Sequence, residues 1–213
     1  MNILVLTAMD SEYDHFASMI DGKEIKDKNI ILAKCGIGKV NAAVETFDLI
    51  QKTNPDIVVS SGVAGGCGDN IEIMDTVCAE SICYHDVWCG TPNKPGQIQG
   101  MPEQYPAPKR TIDKIKALNL KNVKFGLTVS GDWFVDRSEK MQEIKTNFPN
   151  ALAVDMESAA IAHVCYKMNV PFISLRIISD LPMKGNNHQQ YKDFWKNVAD
   201  NSFDTAKRII SSI

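Results

Sequence analysis

Arginine is scarce in this sequence. Four occur in 213 residues, at positions 110, 137, 176 and 208, and the first 109 residues hold none. A guanidinium grips an anion with a planar two-pronged fork that lysine, a point charge, does not reproduce. The N-terminal half therefore has no such fork to offer. A basic run is also missing: Lys and Arg total 23 against 26 Asp and Glu, for a net charge of -3. That balance lacks the electrostatic footprint of a nucleic-acid binder. No stretch of 18 apolar residues occurs, which argues against a membrane-spanning helix. The opening MNILVLTAMD reads as a strand, because its apolar run is too short for a signal peptide and has no basic leader. The six Cys, at 35, 67, 78, 83, 89 and 165, show no CxxC spacing. Close ligand pairs for zinc are thus absent, and the thiols read as reduced and packed, in a cytoplasmic protein.

What is present is ordinary for a globular chain: 44% hydrophobic and 23% charged residues. The length of residues 1–213 suits a single domain, or at most two small ones. Short apolar runs predict strands at Asn2–Leu6, Ile30–Lys34, Ile57–Ser61, Thr76–Ser81, Phe125–Ser130, Ala151–Asp155 and Phe172–Ile178. Several are apolar at successive positions, as in strands buried on both faces. Helices are predicted between them, at Ser11–Met19, Gly38–Thr53, Ser138–Asn147, Glu157–Met168 and Phe194–Ile210. In the second, Val40, Ala43, Val44, Phe47 and Ile50 recur every three or four residues. The alternation predicts an α/β fold with a mostly parallel sheet. Cys89–Pro108, rich in Pro and Gly, reads as a long loop, a lid or a subunit-contact arm.

Two glycine-rich segments follow predicted strands: Gly36-Ile37-Gly38-Lys39, and a turn at Gly62, Gly65 and Gly66. Ligands of open α/β sheets gather at the carboxyl ends of strands. Carboxylates stand at such ends too: Glu12 beyond the first strand, Asp155 and Glu157 beyond the run ending at Val154, and Asp180 beyond Ser179. One of them alone reads equally well as a helix cap. Three that converge need a purpose, because buried like charges are costly. Arg176 sits within the apolar run Ile173–Ile178, and reads either as an edge-strand Arg reaching solvent or, if buried, as a charge facing the carboxylate cluster, since a buried Arg needs a partner.

In order along the chain stand TAMDSE (7–12), CGIGKVNAA (35–43), GVAGG (62–66), YHD (84–86), SGD (130–132), VDME (154–157) and ISD (178–180). Together they resemble the 5'-methylthioadenosine/S-adenosylhomocysteine nucleosidases of the nucleoside phosphorylase superfamily, from Met1 to about Ile210. The resemblance implies one α/β domain around a mixed, partly closed β-sheet flanked by helices, assembled as a homodimer. It implies hydrolysis of the N-glycosidic bond of an adenine thionucleoside, releasing adenine, in methionine salvage. It implies a small-molecule nucleoside as the partner, with no cofactor, metal, nucleic acid or membrane.

Residue by residue, Glu12 matches the carboxylate that activates water, and Asp180 the acid that protonates the purine. Glu157 matches the carboxylate that holds the ribose hydroxyls, with Met156 beside the sugar. Phe134 matches the aromatic that stacks on adenine, and Val135 the residue whose backbone reads the base edge. Ile37 and Tyr191 match the lining near the 5' substituent, and Arg176 an Arg near the attacking water. Val63 departs from the pattern, standing where the family carries Ser. Asp10-Ser11 replaces a more acidic pair, and Cys89–Pro108 lacks the aromatic-rich segment of close relatives. A phosphorylase and a futalosine-type hydrolase share the same core motifs. The Arg-free first half disfavours the phosphorylase, and the three carboxylates disfavour a silent binding module.

Overall fold

The computed structural model describes residues 1–20, 28–197 and 199–213. The strands are β1 (Asn2–Thr7), β2 (Asn29–Lys34), β3 (Ile57–Gly66), β4 (Thr76–Tyr84), β5 (Tyr105–Pro106), β6 (Val123–Ser130), β7 (Ala151–Asp155) and β8 (Phe172–Asp180). The helices are α1 (Asp10–Ile20), α2 (Lys39–Thr53), α3 (Lys109–Ala117), α4 (Ser138–Asn147), α5 (Ser158–Met168), α6 (Asn187–Asn197) and α7 (Ala199–Ser212), with a 3-10 turn at Pro182–Lys184.

β1 is apolar at every position from Ile3 to Leu6 because both faces are covered. Ile3 and Val5 pack in a cluster with Phe16, Phe194 and Phe203. Leu4 and Leu6 pack on the other side with Cys35, Ala42, Ala159 and Ile161. From β1 the sheet grows by parallel pairing to β2 and to β3. β3 then pairs with β8, β8 with β4, β4 with β6, β6 with β7, and β7 returns to β3. The β3–β7, β4–β8 and β4–β5 pairs are antiparallel and the rest parallel, so the sheet is mixed and partly closed, as the resemblance implies.

Two sequence expectations need correction. Gly62, Gly65 and Gly66 form no turn, since β3 runs unbroken to Gly66 and pairs with β8 and then β7. The helix expected over Phe194–Ile210 is two elements, α6 and α7, and position 198 between them lies outside the described residues. Cys89–Pro108 is a loop as far as Gln104, and only Tyr105 and Pro106 join the sheet, pairing with Ile82 and Ser81 of β4. α3 was not expected at all, and it buries only Ile112 and Ile115.

α2 holds a different surprise. Its inward face is Ala42, Thr46 and Ile50. Val40, Val44 and Phe47, which carry the apolar periodicity, are 73%, 60% and 48% exposed. Among the described residues no helix is long and apolar enough to cross a membrane.

Candidate active site

The segments that follow β1, β2, β6, β7 and β8 converge on one cleft, enclosing about 590 Å³ of empty space including its open mouth. Glu12, Glu157 and Asp180 all line it, and all three are buried.

Glu12 turns back from the first turn of α1 toward the loop that precedes it. Its Oε2 accepts the N–H groups of Ala8 (2.9 Å) and Met9 (3.1 Å), and its Oε1 accepts that of Val63 (2.9 Å). Gly62 makes this possible, because a Cβ there would overlap the Glu12 carboxylate. Burial raises the Glu12 pKa, against the charge of Arg176 and the three N–H donors.

Glu157 follows β7 and precedes α5. Its Oε1 accepts the N–H of Gly38, 2.9 Å away at the start of α2. Burial and the neighbouring charge of Asp155 push it up to about 7, with Glu12 adding and Gly38 and Arg176 opposing. Asp180 ends β8, on the edge where Gly65 pairs with it. The Ser179 hydroxyl donates to its Oδ1 at 2.7 Å, and Asn187 Nδ2 reaches its Oδ2 at 3.5 Å. Burial raises its pKa too, and those two donors resist. Each carboxylate is therefore poised to hold or exchange a proton nearer neutrality than a solvated one.

The aromatic wall comes from the segment after β6. Phe134 meets Tyr191 of α6 edge to face, with centroids 5.7 Å apart, and Trp133 stands beside it at the mouth. Val135 and Ile37 also line the cleft. Two expected residues do not. Met156 is absent from the lining. Arg176 lies behind the wall, donating to Asp155 Oδ2 (2.5 Å), Ser60 Oγ (2.8 Å) and the Leu175 carbonyl (3.1 Å). It acts on Glu12 and Glu157 through its charge.

Asn187 escaped the sequence reading. It donates to Asp180 and, at 3.3 Å, to the Val135 carbonyl, so it ties the acid to the aromatic segment. A polar residue after Gly185-Asn186 carries no periodic signal that would single it out. Ser179 and Met9 were also missed as lining.

Residues 3–211 match the family model described as the phosphorylase superfamily. A curated protein of Staphylococcus aureus (strain JH9), named 5'-methylthioadenosine/S-adenosylhomocysteine nucleosidase, is 36% identical over 193 residues, 89% of this chain and 84% of that protein. A solved Borrelia burgdorferi B31 structure with adenine bound superposes with a TM-score of 0.92 at 33% identity, covering 99% of this chain and 100% of that one. The Neisseria meningitidis 5'-methylthioadenosine/S-adenosylhomocysteine nucleosidase in complex with methylthio-immucillin-A gives 0.91 at 32% identity, covering 100% and 99%.

Proposed function

The chain belongs to the phosphorylase superfamily and, within it, to the 5'-methylthioadenosine/S-adenosylhomocysteine nucleosidases, and from that premise we propose how its residues divide the hydrolysis of an adenine thionucleoside's N-glycosidic bond. Cleavage passes through an oxocarbenium-like transition state. Glu12, fixed by three backbone donors, takes a proton from water as that water attacks the sugar carbon. Asp180, across the cleft, gives a proton to the departing adenine. Glu157 holds the ribose hydroxyls, and its charge favours the positive sugar. Phe134 stacks on the base and the Val135 backbone reads its edge. Ile37 and Tyr191 surround the 5' substituent. Met156 packs beside the sugar, and Arg176 supports from behind the wall by balancing the carboxylates.

The observation that carries this reading is the cleft wall itself. It presents four buried carboxylates, of Glu12, Asp155, Glu157 and Asp180, and none of its described lining residues is Lys, Arg or His. A phosphate nucleophile would meet these carboxylates with no basic side chain among the lining to bind it, which supports water as the nucleophile. Adenine release from methylthioadenosine, followed with and without added phosphate, tests this. Free sugar in both conditions is expected, and sugar 1-phosphate in phosphate buffer overturns it.

In this reading the protein works in the cytoplasm, in methionine salvage, as a homodimer. The exposed Val40, Val44 and Phe47 of α2 continue into Ile37, which is 51% exposed and lines the cleft mouth. A second copy seated there covers the apolar stripe and closes the 5' end of the site.

A further inference from the structure

Three charged residues outside the cleft form a cluster that the mechanism above does not use. Lys39 opens α2, Asp86 follows β4, and Asp132 follows β6. Asp86 Oδ2 accepts both the Lys39 ammonium (2.7 Å) and the Asp132 N–H (2.9 Å). Asp132 Oδ1 accepts the Lys39 N–H at 2.7 Å, and its Oδ2 lies 3.9 Å from the ammonium. None of the three lines the cleft.

Their place in the chain gives the cluster its meaning. The first N–H groups of a helix lack partners within it, and Gly38, the N-cap of α2, supplies no side chain to serve them. Two carboxylates from elsewhere do so. Asp132 takes the N–H of Lys39, and Glu157 takes that of Gly38, one residue earlier. Gly38 has φ 88°, and a Cβ on it would stand 3.1 Å from Asp132 Oδ1, so the backbone itself is shaped for this approach. On its other side, Asp132 leads directly into Trp133, Phe134 and Val135, which line the cleft. One carboxylate thus joins the turn that anchors Glu157 to the segment that forms the aromatic wall.

We propose that Asp132 is a positioning residue for the sugar-holding carboxylate: by fixing the first turn of α2, it keeps the Gly38 N–H on Glu157 and so orients Glu157 toward the ribose hydroxyls. The inference rests on the assignment of Glu157 to the sugar. Misplacement of a binding group by about 1 Å can cost on the order of 100-fold in rate, so the loss on removing Asp132 should fall between about 10- and 100-fold.

The test measures kcat and KM for methylthioadenosine and its 2'-deoxy and 3'-deoxy forms, on the full chain and on Asp132→Ala, Asp132→Asn, Lys39→Met and Glu157→Gln. Asp132→Ala should lose kcat/KM on the ribosyl substrate and far less on the form lacking the hydroxyl that Glu157 holds. Asp132→Asn, which keeps an acceptor for the Lys39 N–H, should retain most of the rate. Lys39→Met, which keeps the backbone donor but frees Asp86 and Asp132 from the ammonium, should show a milder loss with the same sugar dependence. It carries the comparison if Asp132→Ala does not fold. Equal losses on all three sugars for the Asp132 and Lys39 variants, beside a sugar-dependent Glu157→Gln, overturn this inference alone, as does a folded Asp132→Ala with unchanged kinetics. A Glu157→Gln loss that is blind to the sugar overturns the assignment of Glu157 and this inference with it.

Discussion

Arg176 Nε lies 2.5 Å from Asp155 Oδ2, and both side chains are buried. Ser158 adds its hydroxyl to the same Asp155 oxygen, and Ser60 takes one end of the guanidinium. Removing one partner of a buried, hydrogen-bonded pair strands the other charge and costs about 3–5 kcal/mol. Arg176→Met should therefore lower the stability measured by urea unfolding by about that amount. Adding Asp155→Asn should recover part of the loss, since the stranded charge is then gone. A single variant as stable as the native chain would mean that the pair contributes nothing.

Stability should also fall with rising pH through Glu157. Its pKa is raised from 4.5 in the unfolded chain to about 7 in the fold, by burial first and the charge of Asp155 next. The folded state therefore binds this proton more tightly. The stabilisation is complete below pH 4.5 and lost as pH rises through about 7. Over that window the change is on the order of 3 kcal/mol. Urea midpoints from pH 4.5 to 8 should decline less steeply in Glu157→Gln than in the native chain. Parallel profiles would show that Glu157 is not the group responsible.

Asp180→Asn should fold normally and lose at least about 10²-fold in turnover, the usual worth of a positioned acid. Asn keeps the side-chain shape beside Ser179 and Asn187 but has no acidic proton to deliver. Circular dichroism and adenine release on the same sample check this. Near-normal turnover in the folded variant would reject the role of Asp180.

If the proposed homodimer forms through α2, Val44→Asp should yield monomers. Val44 is 60% exposed in the middle of the α2 stripe, and a carboxylate there opposes burial against a second copy. Sedimentation equilibrium reports the mass. None of residues 89–108 lines the cleft of its own chain, so in the proposed dimer that segment would act on substrate choice from the second copy. The monomer should therefore also change its kcat/KM ratios among methylthioadenosine, S-adenosylhomocysteine and adenosine. A variant that still sediments at twice the chain mass would move the interface elsewhere.

Much of this architecture was legible because burial on both sides of a sheet leaves a plain mark. Ile3-Leu4-Val5-Leu6 alternates between two clusters, and an uninterrupted apolar run is what such a strand needs. β3 was misread for a physical reason. Glycine inside a strand usually signals a break, but also marks close approach of another group, and at Gly62 the approaching group is the Glu12 carboxylate. α3 passed unseen because its inward face is only Ile112 and Ile115.

Periodicity reported an apolar face on α2 without saying whether this chain covers it. At the site, carboxylates after apolar strands pointed to Glu12, Glu157 and Asp180, and a charge within β8 announced that Arg176 has a partner. Which carboxylate that is depends on the register of β7 against its neighbours. Asn187 depends on how the chain returns from β8 into α6. Neither can be read from local pattern.

The grip on Glu12 has a consequence for inheritance. Its three donors are main-chain N–H groups of residues 8, 9 and 63, and every amino acid but proline carries that group. Side chains at these positions can drift through generations without deleting a donor. The vulnerable codon is the one that contributes no atom to the grip. At Gly62 every missense change adds a Cβ into the space the carboxylate occupies, so selection on the placement of Glu12 should be read at a residue that contributes no atom to its grip.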